Sequence, residues 1–80
     1  MERYLVEAYD QGKLLFRLGK GDVEINGPLD SPRDCYLVDR WGFKTSAAAK
    51  RCPAYRSKYY DSRILKVTTC YGIIQSQEVV

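Results

Sequence analysis

Positive charge is the one chemical function this sequence offers in concentrated form. Between Asp39 and Asp61 lie six bases (Arg40, Lys44, Lys50, Arg51, Arg56 and Lys58) and no acid. The same stretch holds Trp41, Phe43, Tyr55, Tyr59 and Tyr60, half of the ten aromatic residues. Lysine and arginine bind phosphates and supply affinity without base specificity. Trp41 and Tyr60 are candidates for stacking on bases. The binding set read from the sequence is therefore Lys44, Lys50, Arg51, Arg56 and Lys58, with Trp41 and Tyr60 as stacking or contact residues. An acidic protein surface would be attracted by the same charges. The competing reading is a solvated basic surface over a core that contains Trp41, Phe43, Tyr55 and Tyr59. For the aromatic residues the core reading is preferred; for the charges both readings stand.

Other chemistry is sparse. The chain has no histidine, so the common zinc patterns and histidine-based triads are excluded. A Ser or Cys nucleophile would need Lys, Asp or Glu as its base. Lys50 and Cys52 are close in sequence but do not face each other on a helix. Gly19-Lys20-Gly21 lacks the length and the trailing Lys-Ser/Thr of a phosphate loop and reads as a turn. Asp30, Asp34 and Asp39 can in principle take a hard cation, but a solvated loop is the commoner use of such a cluster. No enzyme activity, metal or cofactor is expected.

The net charge of +3 hides an asymmetry. Residues 1–40 carry six bases against eight acids, whereas residues 41–80 carry seven against two. A basic half points to nucleic acid, an acidic protein or an anionic surface. Cys35, Cys52 and Cys70 are three widely spaced thiols with no CxxC pair, which fits a reducing cytoplasm where they serve as small hydrophobes. One disulfide plus a free thiol is the alternative. The first residues contain no long apolar run, so no signal peptide is expected, and no stretch has the length of a membrane span.

Eighty residues predict one small domain, and a hydrophobic fraction of 45% is enough for a core. Arg3 to Tyr9 and Lys13 to Leu18 read as strands joined by a turn at Asp10-Gln11-Gly12. Val23 to Ile25 reads as a short third strand, completing a meander. Asn26 to Asp34, with Gly27, Pro28 and Pro32, is a loop. Cys35 to Trp41 reads as a fourth strand. Thr45 or Ser46 can cap a helix that begins with Ala47-Ala48-Ala49. On it Ala48, Cys52, Tyr55 and Tyr59 form one stripe, assigned to the core, with Lys50, Arg51, Ala54 and Lys58 outside. Pro53 either kinks this helix or ends it near Arg51 and starts a second one; a kinked or broken helix ending near Tyr60 is preferred. Arg63 to Tyr71 is the clearest strand. Residues 73–80 are an edge strand or a flexible tail. The order β-β-β-β-α-β predicts an α+β fold, an antiparallel sheet of four to five strands with the helix on one face.

The run Trp41-Gly42-Phe43-Lys44-Thr45, followed by Ala49, resembles the arm-type DNA-binding domain of phage tyrosine recombinases. There a strand ends in an aromatic residue and Gly-Phe-x-Thr opens a helix. The resemblance covers residues 41–49. It implies a phage- or prophage-encoded protein and a sheet that enters the DNA groove, so that residues Cys35 to Arg40 would matter as much as the helix. In its size, α+β class and lack of catalytic residues the chain is also similar to small phage anti-CRISPR proteins. That similarity implies an inhibitor acting by protein–protein contact with a host nucleoprotein defence complex. A third reading is a small structural protein that forms a homodimer through its C-terminal strand. All three place the protein in the cytoplasm, that of the host cell if it is phage-encoded, with no membrane partner.

Overall fold

The computed structural model describes residues 1–80. It is an α+β fold built on a four-stranded antiparallel sheet of order β2-β1-β3-β4. The strands are β1 (Glu2–Asp10), β2 (Lys13–Leu18), β3 (Asp61–Cys70) and β4 (Ile73–Val79). Between β2 and β3 lie three helices, α1 (Pro32–Trp41), α2 (Ser46–Lys50) and α3 (Pro53–Arg56). The tail is thus an edge strand, and no helix is long and apolar enough to cross a membrane.

Helices cover both faces of the sheet. Leu5 pairs with Leu65, and Val6 with Ile64. Because side chains alternate along a strand, these two pairs point to opposite faces. Leu5, Leu65 and Val67 pack with Ile25, Leu29 and with Val38 of α1. Val6, Ile64 and Leu18 pack with Ala49 of α2 and with Cys52, just before α3. Leu5 to Ala8 are consequently buried without a break, as expected of a strand covered on both sides. The predicted broken helix holds one face, and α1 is an additional element on the other.

That addition corrects the strand expected at Cys35 to Trp41. Ser31 Oγ accepts the Asp34 N–H at 3.1 Å, and Pro32 stands in the first turn. This N-cap with a proline behind it starts a helix, and the residues then sort by helical period. Asp34, Cys35 and Val38 are buried, while Arg33, Tyr36 and Arg40 are exposed. The order is therefore β-β-α-α-α-β-β. Val23 to Ile25 also forms no full strand, contributing only a single bridge from Glu24 to Leu18. The chain leaves β2 through a tight turn at Lys20–Asp22, in which Gly21 has φ 63.

After α1 the chain must change faces. Two residues beyond the last β1–β2 pair, Val6 with Leu18, Tyr4 exchanges backbone hydrogen bonds of 2.8 Å in both directions with Phe43. The segment so passes along the sheet plane in the place β2 has vacated. Gly42 is required there by space, since a Cβ would lie 2.6 Å from Arg3 Cβ and from the Val38 carbonyl oxygen. On the far side Thr45 Oγ1 accepts the Ala48 N–H at 3.1 Å and starts α2. Cys52 is extended before Pro53, which opens α3 at its first position. Of the two solutions for Pro53, two short helices are realised, and the second ends at Arg56, short of Tyr60.

Candidate functional site

Each basic residue singled out in the sequence is exposed on the α2–α3 side of the chain. Lys44 lies in the segment that enters α2, Lys50 is the last residue of α2, and Arg51 is its C-cap. Arg56 ends α3, and Lys58 follows it in the connection to β3. Bases at helix C-termini face the negative end of the helix dipole, which favours them locally. None of the five forms an ion pair. The ion pairs of the chain use Arg17 and Lys66 instead.

Of the four aromatic residues read as core, Trp41, Phe43 and Tyr55 pack against it and Tyr59 does not. Trp41 is half-buried against the α1 core, and the Arg40 guanidinium stands 5.4 Å from its ring. Tyr60 is half-buried and meets Phe16 edge to face, with centroids 5.2 Å apart and planes at 83°. Both rings are held by the fold, which limits the face each can offer to a ligand. Tyr59, assigned to the core stripe, is instead 89% exposed. The stripe holds at Cys52 and in part at Ala48 and Tyr55, and fails at Tyr59 because α3, which Pro53 opens, ends at Arg56. Ala49, outside the stripe, is fully buried, and Ala54, expected outside, packs on the core.

The stretch is free of acids in sequence but not in space. Asp22, from the turn after β2, brings Oδ1 to 4.0 Å from Cys52 Sγ at the junction of α2 and α3. A carboxylate therefore stands beside the basic surface, and no local pattern announces it.

The remaining titratable clusters are structural. Glu7 and Arg17 form a buried ion pair at 3.1 Å. The Arg17 Nη1 donates to the carbonyl oxygens of Ile25 and Gly27 at 3.1 and 3.0 Å, and this holds the loop that closes the α1 core. Asp34 Oδ2 accepts the Leu29 N–H at 3.0 Å. Asp39 accepts the Thr69 hydroxyl at 2.6 Å and the Cys35 thiol at 3.8 Å. Burial, followed by the charge of Asp39 and its hydrogen bond, raises the Cys35 pKa. Asp34 and Asp39 thus serve α1 and its surroundings, and do not gather with Asp30 as a cation site. Lys66 reaches Glu2 at 2.9 Å and Glu78 at 3.8 Å; the hydrogen bond to Glu2 and its charge raise the Lys66 pKa. Cys35, Cys52 and Cys70 are free thiols.

No protein-family profile, curated protein or solved structure matches the chain.

Proposed function

We propose that the chain is a non-enzymatic binding module whose α2–α3 side contacts nucleic acid through Lys44, Lys50, Arg51, Arg56 and Lys58. The observation that carries this reading is that all five are exposed and none is neutralised by an acid. Phosphate contacts need charges of this kind, displayed and unpaired. The coverage of both sheet faces favours the helical side over the sheet itself as the contact surface. A groove-reading sheet, as the recombinase resemblance implies, needs a bare face. The segment Cys35 to Arg40, on which that implication rests, is helical here. The proposal that the protein is phage- or prophage-encoded rests on the residue 41–49 run, and its cytoplasmic location on the three separated thiols.

The second reading is an inhibitor that binds an acidic protein surface of a nucleoprotein complex, in the manner of anti-CRISPR proteins. Tyr59 supports it, since an 89% exposed tyrosine three residues after the exposed Arg56 has the composition of a protein-binding hot spot. Binding to duplex and single-stranded DNA over a salt series separates the readings. Direct phosphate contact predicts a steep fall of affinity with salt, and the Lys50→Ala/Arg51→Ala double variant reduces the logarithmic slope by about 2. Absence of binding at low salt rejects the nucleic-acid reading. Loss of host-protein capture on Tyr59→Ala would then support the inhibitor.

A further inference from the structure

The two edges of the sheet are treated differently. The β2 edge is closed by the chain itself over its last residues. The Ile25 N–H donates to the Arg17 carbonyl oxygen at 2.9 Å, and the Arg17 N–H donates to Asn26 Oδ1 at 2.8 Å. Glu24 bridges Leu18, and Phe43 continues the cover along β1. The β4 edge has no such cover, and β3 is its sole strand partner. Six of its seven residues are exposed. It carries no proline and no lysine, and its one charge, Glu78, is turned to Lys66 of β3. Val79 and Val80 are each 55% exposed at its end. Natural proteins usually blunt such an edge with charge, proline or a cover.

We propose that β4 pairs antiparallel with β4 of a second copy of this chain, about a two-fold axis near Gln77. The backbone fixes the register. The Val80 N–H donates to the Ile64 carbonyl oxygen at 2.9 Å, and Glu78 pairs with Lys66. By alternation the N–H and C=O groups of Gln77 and Val79 point away from β3. Closer to the hairpin, Gln75 is the extra residue of a bulge, since Ser76 pairs with Thr68 but Ile74 with Thr69. An axis at Gln77 matches its outward groups with those of its copy. It also sets Glu78 opposite Ser76 of the copy, so no like charges stand directly opposed.

Self-pairing suits this edge better than pairing with a different strand for two reasons. The strand is complementary to itself in its backbone groups, and its one carboxylate faces no like charge directly. Moreover, it is the one long open edge, so the isologous contact consumes it and the assembly closes as a dimer. The two-fold axis of an antiparallel pair is normal to the sheet, so equivalent faces stay on the same side. Both α2–α3 surfaces therefore come to lie on one side of a continuous sheet. Because α2 and α3 stand over β1 and β3, the charges stay away from the joint.

The test is sedimentation equilibrium of the full chain from about 1 μM to 1 mM, a range that spans weak to moderate association. The expected result is a mass rising with concentration from 9.2 kDa to twice that value. Gln77→Pro removes one outward N–H and the long side-chain contact to the Leu29 carbonyl oxygen at 3.4 Å but leaves the β3 ladder intact, so it should fold and weaken dimerisation at least tenfold. Val79→Lys places a charge on the edge and should do the same by a different route, which keeps the test valid if the proline variant fails to fold. Under mild oxidation, Gln77→Cys should cross-link the two copies through the new thiols. A mass of 9.2 kDa throughout overturns the proposal, as does a dimer that either folded variant leaves unchanged or one that Gln77→Cys fails to link. Nucleic acid is absent from the measurement, so its outcome is independent of the proposed function.

Discussion

The two faces of the sheet are closed by different means. The α1 face relies on polar ties: the buried Glu7–Arg17 pair, the Asp34 carboxylate on the Leu29 N–H, and Asp39 on Thr69 and Cys35. Its buried charges are spent inside the molecule, and Arg33 and Arg40 of α1 stay exposed. The α2–α3 face is closed by side chains such as Ala49, Cys52, Ala54 and Tyr55, with little polar anchoring beyond Ser62 on the Ala54 carbonyl oxygen at 3.1 Å. The bases of its helical segment remain outside and unpaired, while Lys66 of β3 on the same face is paired with Glu2. A chain of this size cannot bury a large core on either side of a sheet. The division lets one face hold the loops while the other keeps its bases available.

The largest effect should come from breaking the polar face. Arg17→Met leaves Glu7 as an uncompensated buried carboxylate and frees the carbonyls of Ile25 and Gly27. Urea unfolding should show a loss of about 3–5 kcal/mol. Adding Glu7→Leu should recover most of it, because a buried pair replaced by apolar residues is often close to neutral. If the double variant is no better than the single one, the loss lies in the loop carbonyls and not in the stranded charge. In either case the salt dependence of any DNA binding should stay as in the wild type.

Next in size is the passage between the faces. Gly42→Ala would press its methyl group against Arg3 Cβ and the Val38 carbonyl oxygen, both 2.6 Å from the ideal position. Backbone has to move, so the cost is about 1–3 kcal/mol, read by thermal or urea unfolding. The same conflict does not arise at Gly12, where a Cβ would meet nothing within 4 Å but φ is +79. A Gly42→Ala variant as stable as wild type would remove the crossing from the account.

Smaller again is the removal of a cap. Ser31→Ala and Thr45→Ala each delete one side-chain acceptor at a helix start, at about 1 kcal/mol. Their structural consequences should differ. α1 has ten residues and further ties through Asp34 and Asp39, whereas α2 has five and few. Hydrogen exchange should therefore report local opening of α2 in the Thr45 variant and little change of α1 in the Ser31 variant. Equal responses would blur the contrast between the faces.

The sequence disclosed the sheet better than the helices. β2 was read at Lys13 to Leu18 and β3 close to its bounds, because Ile64, Leu65 and Val67 favour a strand in any context. Residues 35–41 satisfy both a two-residue and a helical period. The deciding signal was outside them, in Ser31-Pro32-Arg33-Asp34, whose serine caps and whose proline belongs to a first turn. The exposure of Lys44, Lys50, Arg51, Arg56 and Lys58 was legible because unpaired charges do not bury. The place of Tyr59 was not, since one proline upstream ended the helix that the spacing assumed. Nor was Asp22 beside Cys52, a contact across thirty positions that only the fold creates.

The smallest effect is alkaline, and it separates the faces by pH. Cys35, on the α1 side, has a thiol pKa raised from its ordinary value of 9.0 by burial and by Asp39. Lys66 points to the opposite face, and its pKa is raised from 10.5 by Glu2. In both cases the folded state holds its proton more tightly than the unfolded chain. The stabilising contribution is complete below the unfolded value and declines as pH climbs through the folded one. Stability should therefore start to fall above pH 9 through Cys35 and, above pH 10.5, further through Lys66. The chain has seven tyrosines that share this range, so the reading is the difference between wild-type and variant curves. Cys35→Ala should flatten the earlier decline, and Lys66→Met the later one, whatever each costs in baseline stability. A Cys35→Ala curve parallel to wild type above pH 9 would show that the thiol under α1 is not coupled to folding. The Asp39 contact would then be packing alone.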